Sequence, residues 1–217
     1  LNRLGATDYA QLGVLINADE ELGSPGSGAF ITQLGSEYDA VFSFEGGGSA
    51  AANGADMVRL AQQHANISID GFTISAAQAE QAHRNIARAG LESRCLVRHA
   101  DSARDPFPGT YDLIYGFEVS FHIEDKAALF ANIAAHLSPG GRLILIDVAA
   151  TTVTSLHSPH LGQFTSNEAE WAQVLAAQGL RIESAVNASA EVANFRAELA
   201  AYRLGRLLDL HRTPPAC

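Results

Sequence analysis

The sequence is poor in cysteine and in long apolar runs, and each shortage excludes a class of protein. Cys95 and Cys217 are its two cysteines. Two are too few for a disulfide framework or a metal-ligand cluster, so we expect no metal site and a reducing, cytoplasmic setting. No apolar stretch is long enough to span a bilayer, and no signal-peptide pattern is visible. We therefore expect no membrane contact.

Positive charge is also scarce. The chain has 14 lysine and arginine residues against 24 aspartate and glutamate residues, which gives a net charge of −10. Nucleic-acid binding needs a basic field that neutralises phosphates, so we expect no nucleic-acid partner. One local group of arginines is best explained as a solvated helix face and loop: Arg84, Arg88, Arg94, Arg98 and Arg104.

The chain does have length and apolar content. Its 217 residues, of which 47% are hydrophobic, can bury the core of one large domain. It begins at Leu1, and its only methionine is Met57. We therefore expect a fragment or an excised domain of a longer polypeptide.

Strand and helix patterns alternate from Tyr38 onward. Apolar runs typical of strands lie at 41–44, 67–72, 95–99, 113–117, 142–148 and 180–186. Helical patterns lie between them at 48–64, 76–89, 125–137 and 168–178. This alternation predicts an α/β fold, a Rossmann-like doubly wound and mostly parallel sheet with helices on both faces. Ligands of such sheets bind at the carboxyl ends of the strands.

The two ends of the chain do not follow this alternation. Residues 1–37 are punctuated by Gly, Ser and Pro, and we interpret them as an N-terminal lid or cap with short helices near 9–16 and 29–34. Residues 38–189 are predicted to form the core. Residues 190–217 are predicted to form a C-terminal helix.

The stretch "VFSFEGGGSAA" at 41–51 joins the first strand pattern to the first helix pattern. Consecutive glycines at such a turn let the backbone approach a ligand closely. Two different cofactors are consistent with this turn. Gly46, Gly48 and Ala51 fit a dinucleotide-binding pattern, with Asp70 near the place of an acidic ribose ligand. S-adenosyl-L-methionine (SAM) instead needs the glycine backbone beside its amino-acid part and a polar side chain after the second strand.

Five motifs in order resemble class I SAM-dependent methyltransferases: "VFSFEGGGS", "IDGFTISAAQ", "RHADS", "YDLIYGFEVSFHIEDK" and "LSPGGRLILIDV". Within that class they are similar to small-molecule enzymes, including O-methyltransferase domains of modular polyketide synthases. The resemblance covers residues 38–148. It implies the class I methyltransferase fold, SAM as the cofactor and S-adenosyl-L-homocysteine as its product. A seventh strand at the end of that fold is not evident, so we expect the C-terminal strand to be missing.

The resemblance also implies cofactor-binding residues. In "GFTISAAQ", Thr73 and Gln78 take the place of a carboxylate on the ribose hydroxyls, which leaves Asp70 inside the strand and weakens the dinucleotide interpretation. Asp101 is expected to accept from the adenine amine, with a cap of the turn before Pro106 as the alternative. The remaining cofactor-binding residues are Glu45, Gly46, Gly47, Gly48, Ser102 and Phe117.

The glycine-rich turn departs from the family pattern. Ser43 stands where an acidic residue is usual, and Glu45 and Ser49 stand where glycines are usual. We expect Glu45 to supply the carboxylate for the methionine ammonium. The alternative is weak or no SAM binding, which keeps open a non-catalytic structural module of this fold.

Methyl transfer from a sulfonium is an in-line displacement, so the protein aligns the acceptor and removes its proton. His122 is the candidate general base, because similar small-molecule O-methyltransferases hold a histidine directly after the fourth strand; a packing role is the alternative. Glu118 could orient that imidazole or bind the cofactor ammonium. Asp147 could assist the base or serve as a switch-point hydrogen-bonding group. His157 and His160, in a loop predicted to cover the acceptor, rank lower.

We therefore expect a SAM-dependent methyltransferase domain that methylates a hydroxyl or enol oxygen, with a histidine base and no metal. The acceptor is predicted to be a small molecule or a polyketide intermediate on an acyl carrier protein, within a larger synthase polypeptide. C-methylation of a β-keto thioester is the enzymatic alternative. A nicotinamide-dependent dehydrogenase is least favoured.

Overall fold

The computed structural model describes residues 11–14, 40–45, 54–117, 119–150 and 155–186. Its helices are α1 (Ala55–Gln63), α2 (Ala76–Ala89), α3 (Lys126–His136) and α4 (Glu168–Ala177). Its strands are β1 (Gln11–Val14), β2 (Ala40–Glu45), β3 (Ser68–Thr73), β4 (Cys95–His99), β5 (Tyr111–Phe117), β6 (Leu137–Ile146), β7 (Leu156–Ser158), β8 (Gln163–Thr165) and β9 (Arg181–Ala185). The predicted helices at 29–34 and 190–211 lie outside the described residues.

Seven of the strands form one sheet in the order β4-β3-β2-β5-β6-β1-β9. Every neighbouring pair in this sheet is parallel. Strands and helices alternate through β3, α2, β4, β5, α3 and β6, as the sequence pattern predicts. The Rossmann-like, doubly wound fold is confirmed.

Alternate residues of the central strands enter two different cores. Leu113 and Tyr115 of β5 pack in one cluster with buried residues of α1 and α2. Ile114, which lies between them, packs in a second cluster with buried residues of α3 and α4. Because successive strand residues point to opposite faces, the two clusters lie on opposite sides of the sheet. The sheet is therefore covered on both faces.

Helix α3 follows its predicted pattern closely. Asp125 caps its first turn by accepting a hydrogen bond from the Ala128 N–H at 2.9 Å. Leu129, Ile133 and Leu137, spaced four apart, are buried. Strand β6 begins directly at Leu137, five residues before the predicted start at 142.

The short helix predicted near residues 9–16 is wrong, because Gln11–Val14 form strand β1. This strand lies between β6 and β9, with Gln11 in register with Arg142 on one side and Arg181 on the other. A segment of four residues, Gln-Leu-Gly-Val, is too short to show a periodicity that separates a strand from a helix. Hydrogen bonding to the edges of β6 and β9 makes this segment a strand. The predicted absence of a C-terminal strand concerns residues outside those described.

The loop predicted to carry His157 and His160 is partly regular. Strands β7 and β8 pair antiparallel around a short 3-10 turn at Pro159–Leu161. Gly162 ends that turn with φ of +60°, a conformation that glycine adopts without strain. Within the described residues, no helix has the length and hydropathy needed to cross a bilayer.

Replacing Leu12 with proline tests the placement of β1. Proline removes a backbone N–H from a strand paired on both sides, which takes a donor away from the sheet. We expect the free energy of unfolding in urea to fall by about 1–3 kcal/mol more than in the Leu12→Ala control. Equal losses in the two variants would show that β1 is not a central strand.

Candidate active site

The carboxyl ends of five neighbouring strands lie in one row. His99 pairs with Thr73, and Thr73 pairs with Glu45. Glu45 also pairs with Phe117, and Phe117 pairs with Ile146. We call these five residues the strand-end row. It brings together the backbones of three predicted cofactor-binding residues, at the place where the strand order reverses and such sheets bind ligands.

A cavity of about 730 Å³ lies at this end of the sheet. Segments that follow β3, β4 and β5 line it, together with Phe164 of β8. Asp101 and Ser102, predicted from one motif, and His122, predicted from another, all line this cavity. The cofactor candidates after β4 and the base candidate after β5 therefore share one space.

Thr73 and Gln78 contact each other directly. The buried Thr73 hydroxyl donates to Gln78 Oε1 at 2.8 Å, and it accepts from the Ser75 N–H at 3.3 Å. Ser75 in turn caps α2 by accepting from the Gln78 N–H. With Oε1 engaged, the side-chain NH2 of Gln78 is the group that can donate to a ligand oxygen.

Asp101 organises the turn after β4. Its Oδ1 accepts from the Ala103 N–H at 2.9 Å, and its own N–H donates to Asp105 Oδ2 at 2.7 Å. The Asn132 amide ties this turn to α3 through the carbonyls of Ser102 and Asp105, both at 2.8 Å. The capping role is therefore present, in a carboxylate that also lines the cavity.

Asp70 does not lie at the strand-end row. It is three residues before the end of β3, and it accepts from the Tyr111 hydroxyl at 2.9 Å. Burial, with a smaller contribution from this hydrogen bond, raises the pKa of Tyr111 well above its usual value. The predicted position of Asp70 inside the strand is confirmed, which removes the acidic ribose ligand of the dinucleotide interpretation.

His122 is exposed and ends a 3-10 turn at Ser120–His122, which we call the base turn. Its Nδ1 lies 2.7 Å from the carbonyl oxygen of Gly162. A carbonyl only accepts hydrogen bonds, so Nδ1 carries the proton and donates it. In the neutral ring, Nε2 then holds the lone pair that can accept a proton. The environment of His122 therefore suits a general base.

Asp147 is buried directly after β6 and contacts the base turn. It accepts from the backbone N–H of Ser120 at 2.8 Å, from the Ser120 hydroxyl, and from the Val148 N–H at 2.8 Å. Burial raises the pKa of this carboxyl, against the hydrogen bonds from Ser120, which lower it. These partners favour the switch-point role over direct assistance to His122.

Lys126 is a site residue that sequence reasoning missed. It is buried, and its Nζ donates to the carbonyls of Ser120 and Ile123, each at 2.9 Å, and to that of Phe164. Burial lowers the pKa of Lys126, which the carboxylates of Asp147 and Glu170 partly oppose. A signal was present, because Lys126 lies three, four and seven residues before the buried Leu129, Phe130 and Ile133. A lone cation on an apolar helical stripe indicates a buried charge.

The other predicted site residues are less well placed or lie elsewhere. Glu118, Gly46, Gly47 and Gly48 lie outside the described residues. His157 and His160 are both exposed, and His157 lines a second cavity of about 330 Å³. In the described part of the chain, no three His, Cys, Asp or Glu side chains group closely enough to hold a metal ion.

The His122 tautomer can be tested by 15N NMR of the imidazole. We expect neutral His122 to be protonated at Nδ1, because only that form donates to Gly162. Gly162→Ala strains the φ of +60° and should disturb this tautomer. Gly179→Ala, at φ of +74°, is a control with similar strain away from His122. Protonation at Nε2 in the wild-type protein would contradict the assignment.

Comparisons with known proteins agree with this geometry. A family model described as a methyltransferase domain matches residues 50–143. Polyketide synthase ThaQ of Burkholderia thailandensis is 42% identical over 142 residues, which are 65% of this chain and 7% of that protein. The chain thus spans a small part of that synthase.

Two solved structures are similar to the fold. The StiE O-methyltransferase has a TM-score of 0.63 and 37% identity, over 77% of this chain and 56% of that one. The O-methyltransferase of a trans-AT polyketide synthase of Brevibacillus brevis has a TM-score of 0.70 and 27% identity, over 89% of this chain and 69% of that one. The chain has the class I methyltransferase fold, and it is similar to the SAM-dependent methyltransferase domains of polyketide synthases.

Proposed function

We propose that this domain transfers the methyl group of SAM to a hydroxyl or enol oxygen, with His122 as the general base. The acceptor is a small molecule or a polyketide intermediate on an acyl carrier protein, and the domain works in the cytoplasm within a larger synthase. One observation carries the proposal. The 2.7 Å contact between His122 Nδ1 and the Gly162 carbonyl leaves Nε2 as the basic nitrogen, in a residue that lines the cavity beside Asp101.

The donor set at the strand ends fits SAM. The Gln78 amide, held by Thr73, would donate to a ribose hydroxyl, and the Asp101 carboxylate would accept from the adenine amine. Glu45, in register with Thr73 and Phe117, would pair with the methionine ammonium. When bound, SAM supplies a methyl group on a sulfonium that is a good leaving group, so the protein has mainly to orient and deprotonate the acceptor.

His122 performs the proton transfer in this proposal. Its Nε2 takes the acceptor proton as the new oxygen–carbon bond forms. The ring then becomes positively charged, and the Gly162 carbonyl stabilises that charge through the hydrogen bond from Nδ1. Apolar side chains of Ile74, Val119 and Phe164 line the same cavity as His122.

Oxygen is favoured over carbon by the two similar structures, which are both described as O-methyltransferases. The B. brevis domain is described in complex with S-adenosyl-L-homocysteine. The base itself does not decide between the two reactions, because the same imidazole could remove the acidic α-proton of a β-keto thioester. The acceptor atom therefore has to be located directly.

Cofactor binding is tested by calorimetry with SAM and S-adenosyl-L-homocysteine. We expect Gln78→Leu to weaken binding about fivefold, since one hydrogen bond is worth about 1 kcal/mol. Gln81→Leu is the matched control, because Gln81 lies on the same helix and bonds Asn85 and Arg84 instead. Equal affinities would contradict the role of Gln78. A wild-type protein that binds neither ligand at millimolar concentration would favour the structural module.

The reaction is tested with methyl-13C-labelled SAM and matched β-hydroxy and β-keto thioesters. We expect the label on oxygen, and a fall in kcat of about 10²–10⁴-fold in His122→Gln because the base is lost. His160→Gln, an exposed histidine of the same hairpin region, should leave the rate unchanged. A label on carbon would move the assignment to C-methylation. An unchanged kcat in His122→Gln would contradict the role of His122 as the general base.

A further inference from the structure

Lys126 stands apart from every other residue of the chain. It is the only lysine among the 217 residues, and its side chain is 7% exposed. Buried ammonium groups are costly unless they are fully hydrogen-bonded, so a single buried lysine needs an explanation in what it binds.

Three carbonyls from two separate segments account for Lys126. Ser120 and Ile123 flank His122 in the chain, and both accept from Nζ at 2.9 Å. Phe164 of β8 accepts the third hydrogen bond. An ammonium group has three N–H donors, so these carbonyls use all of them. Lys126 therefore joins the base turn to the hairpin of β7 and β8.

The same hairpin holds His122 from its other side. Gly162, two residues before Phe164, accepts from His122 Nδ1 at 2.7 Å. Two hydrogen bonds thus connect the base turn to one short segment of the hairpin. The Lys126 bond to Phe164 fixes where that segment lies, and with it whether the Gly162 carbonyl is within reach of Nδ1.

Charge balance supports this arrangement. Ser120 donates its N–H and hydroxyl to the buried Asp147, while its carbonyl accepts from Lys126. A buried anion and a buried cation therefore lie on either side of one residue, and each reduces the cost of burying the other. Both hold the base turn by its backbone and neither bonds the imidazole.

We propose that Lys126 is a positioning residue for His122: by clamping Phe164 to the base turn, it keeps the Gly162 carbonyl on Nδ1 and Nε2 as the basic nitrogen. Because His122 acts as a base only under the proposed function, this role rests on that function. The imidazole can nevertheless be observed without any reaction. The positioning role of Lys126 and the proposed methyl transfer can therefore be tested separately.

The wild-type clamp is tested first. Since Lys126 is the only lysine, protein grown with 15Nζ-labelled lysine gives a single side-chain signal. We expect its ammonium protons to exchange slowly with water because all three are hydrogen-bonded. Exchange as fast as that of a solvent-exposed lysine would overturn the clamp.

The positioning role is tested by Lys126→Met, with 15N NMR of the His122 imidazole as the readout. We expect the single Nδ1-protonated tautomer to become a mixture of both tautomers. Lys126→Met/Asp147→Asn removes both buried charges, and it should show the same mixture even if the single variant folds poorly. A His122 tautomer that matches wild type in the double variant would overturn the proposal.

Arg94→Met is the matched control. Arg94 also donates to three backbone carbonyls, those of Ala61, His64 and Ile67, at the opposite end of the strands. Its loss should weaken the fold while leaving the His122 tautomer unchanged. An equal tautomer change in both variants would overturn the proposal, because it would reflect general loosening.

Kinetic measurements distinguish the positioning role of Lys126 from the proposed methyl transfer. With the thioester acceptor, Lys126→Met should lower kcat at least tenfold while the affinity for S-adenosyl-L-homocysteine stays within twofold of wild type. A normal kcat in Lys126→Met would overturn the positioning role. A wild-type protein that transfers no methyl group would contradict the proposed function, and the tautomer measurement would still decide whether Lys126 positions His122.

Discussion

Parallel pairing of seven strands is the constraint on which the site depends. In a parallel sheet all carboxyl ends meet at one edge, so the segments after β3, β4, β5 and β6 have to leave the sheet side by side. The register keeps these strand ends level, because each residue of the strand-end row, from His99 to Ile146, is paired directly with the next. Residues 26 or more apart along the chain thereby become neighbours, and the cavity lies where the segments after them meet.

Two buried charges give that edge its rigidity. Asp147 and Lys126 hold opposite sides of Ser120, so the base turn is fixed through its backbone while the imidazole of His122 stays exposed. Under the proposed function, this support would let the base meet the acceptor in one geometry. Removing only one of the two charges would leave the other buried without its counter-charge, which is costly.

Much of this could be predicted from local signals. Helix α2 has its predicted bounds, Ala76–Ala89, because Ser75 caps it and Gly90 ends it with φ of +69°. The contact of Thr73 with Gln78 follows from one strand end and one helix start. Strand β1 was missed because its four residues pair with strands that lie 131 or more residues away. The β7–β8 hairpin was missed because strands of three residues are too short to show an alternating pattern. The apolar stripe of α3 indicated the burial of Lys126, but nothing local indicated its partner Phe164, which is 38 residues away.

The register of β2 bears on the departure of the glycine-rich turn from the family pattern. Ser43, where the resemblance places an acidic residue, pairs with Gly71 and Tyr115, whereas Glu45 pairs with Thr73 and Phe117 in the strand-end row. Residues two apart in a strand lie on the same face and are about 6.6 Å apart. By backbone register, an acid at position 45 rather than 43 therefore lies in the strand-end row, at the edge where the proposed cofactor would bind. The proposed role of Glu45 as the carboxylate for the methionine ammonium needs this place in the row, and Ser43 does not have it.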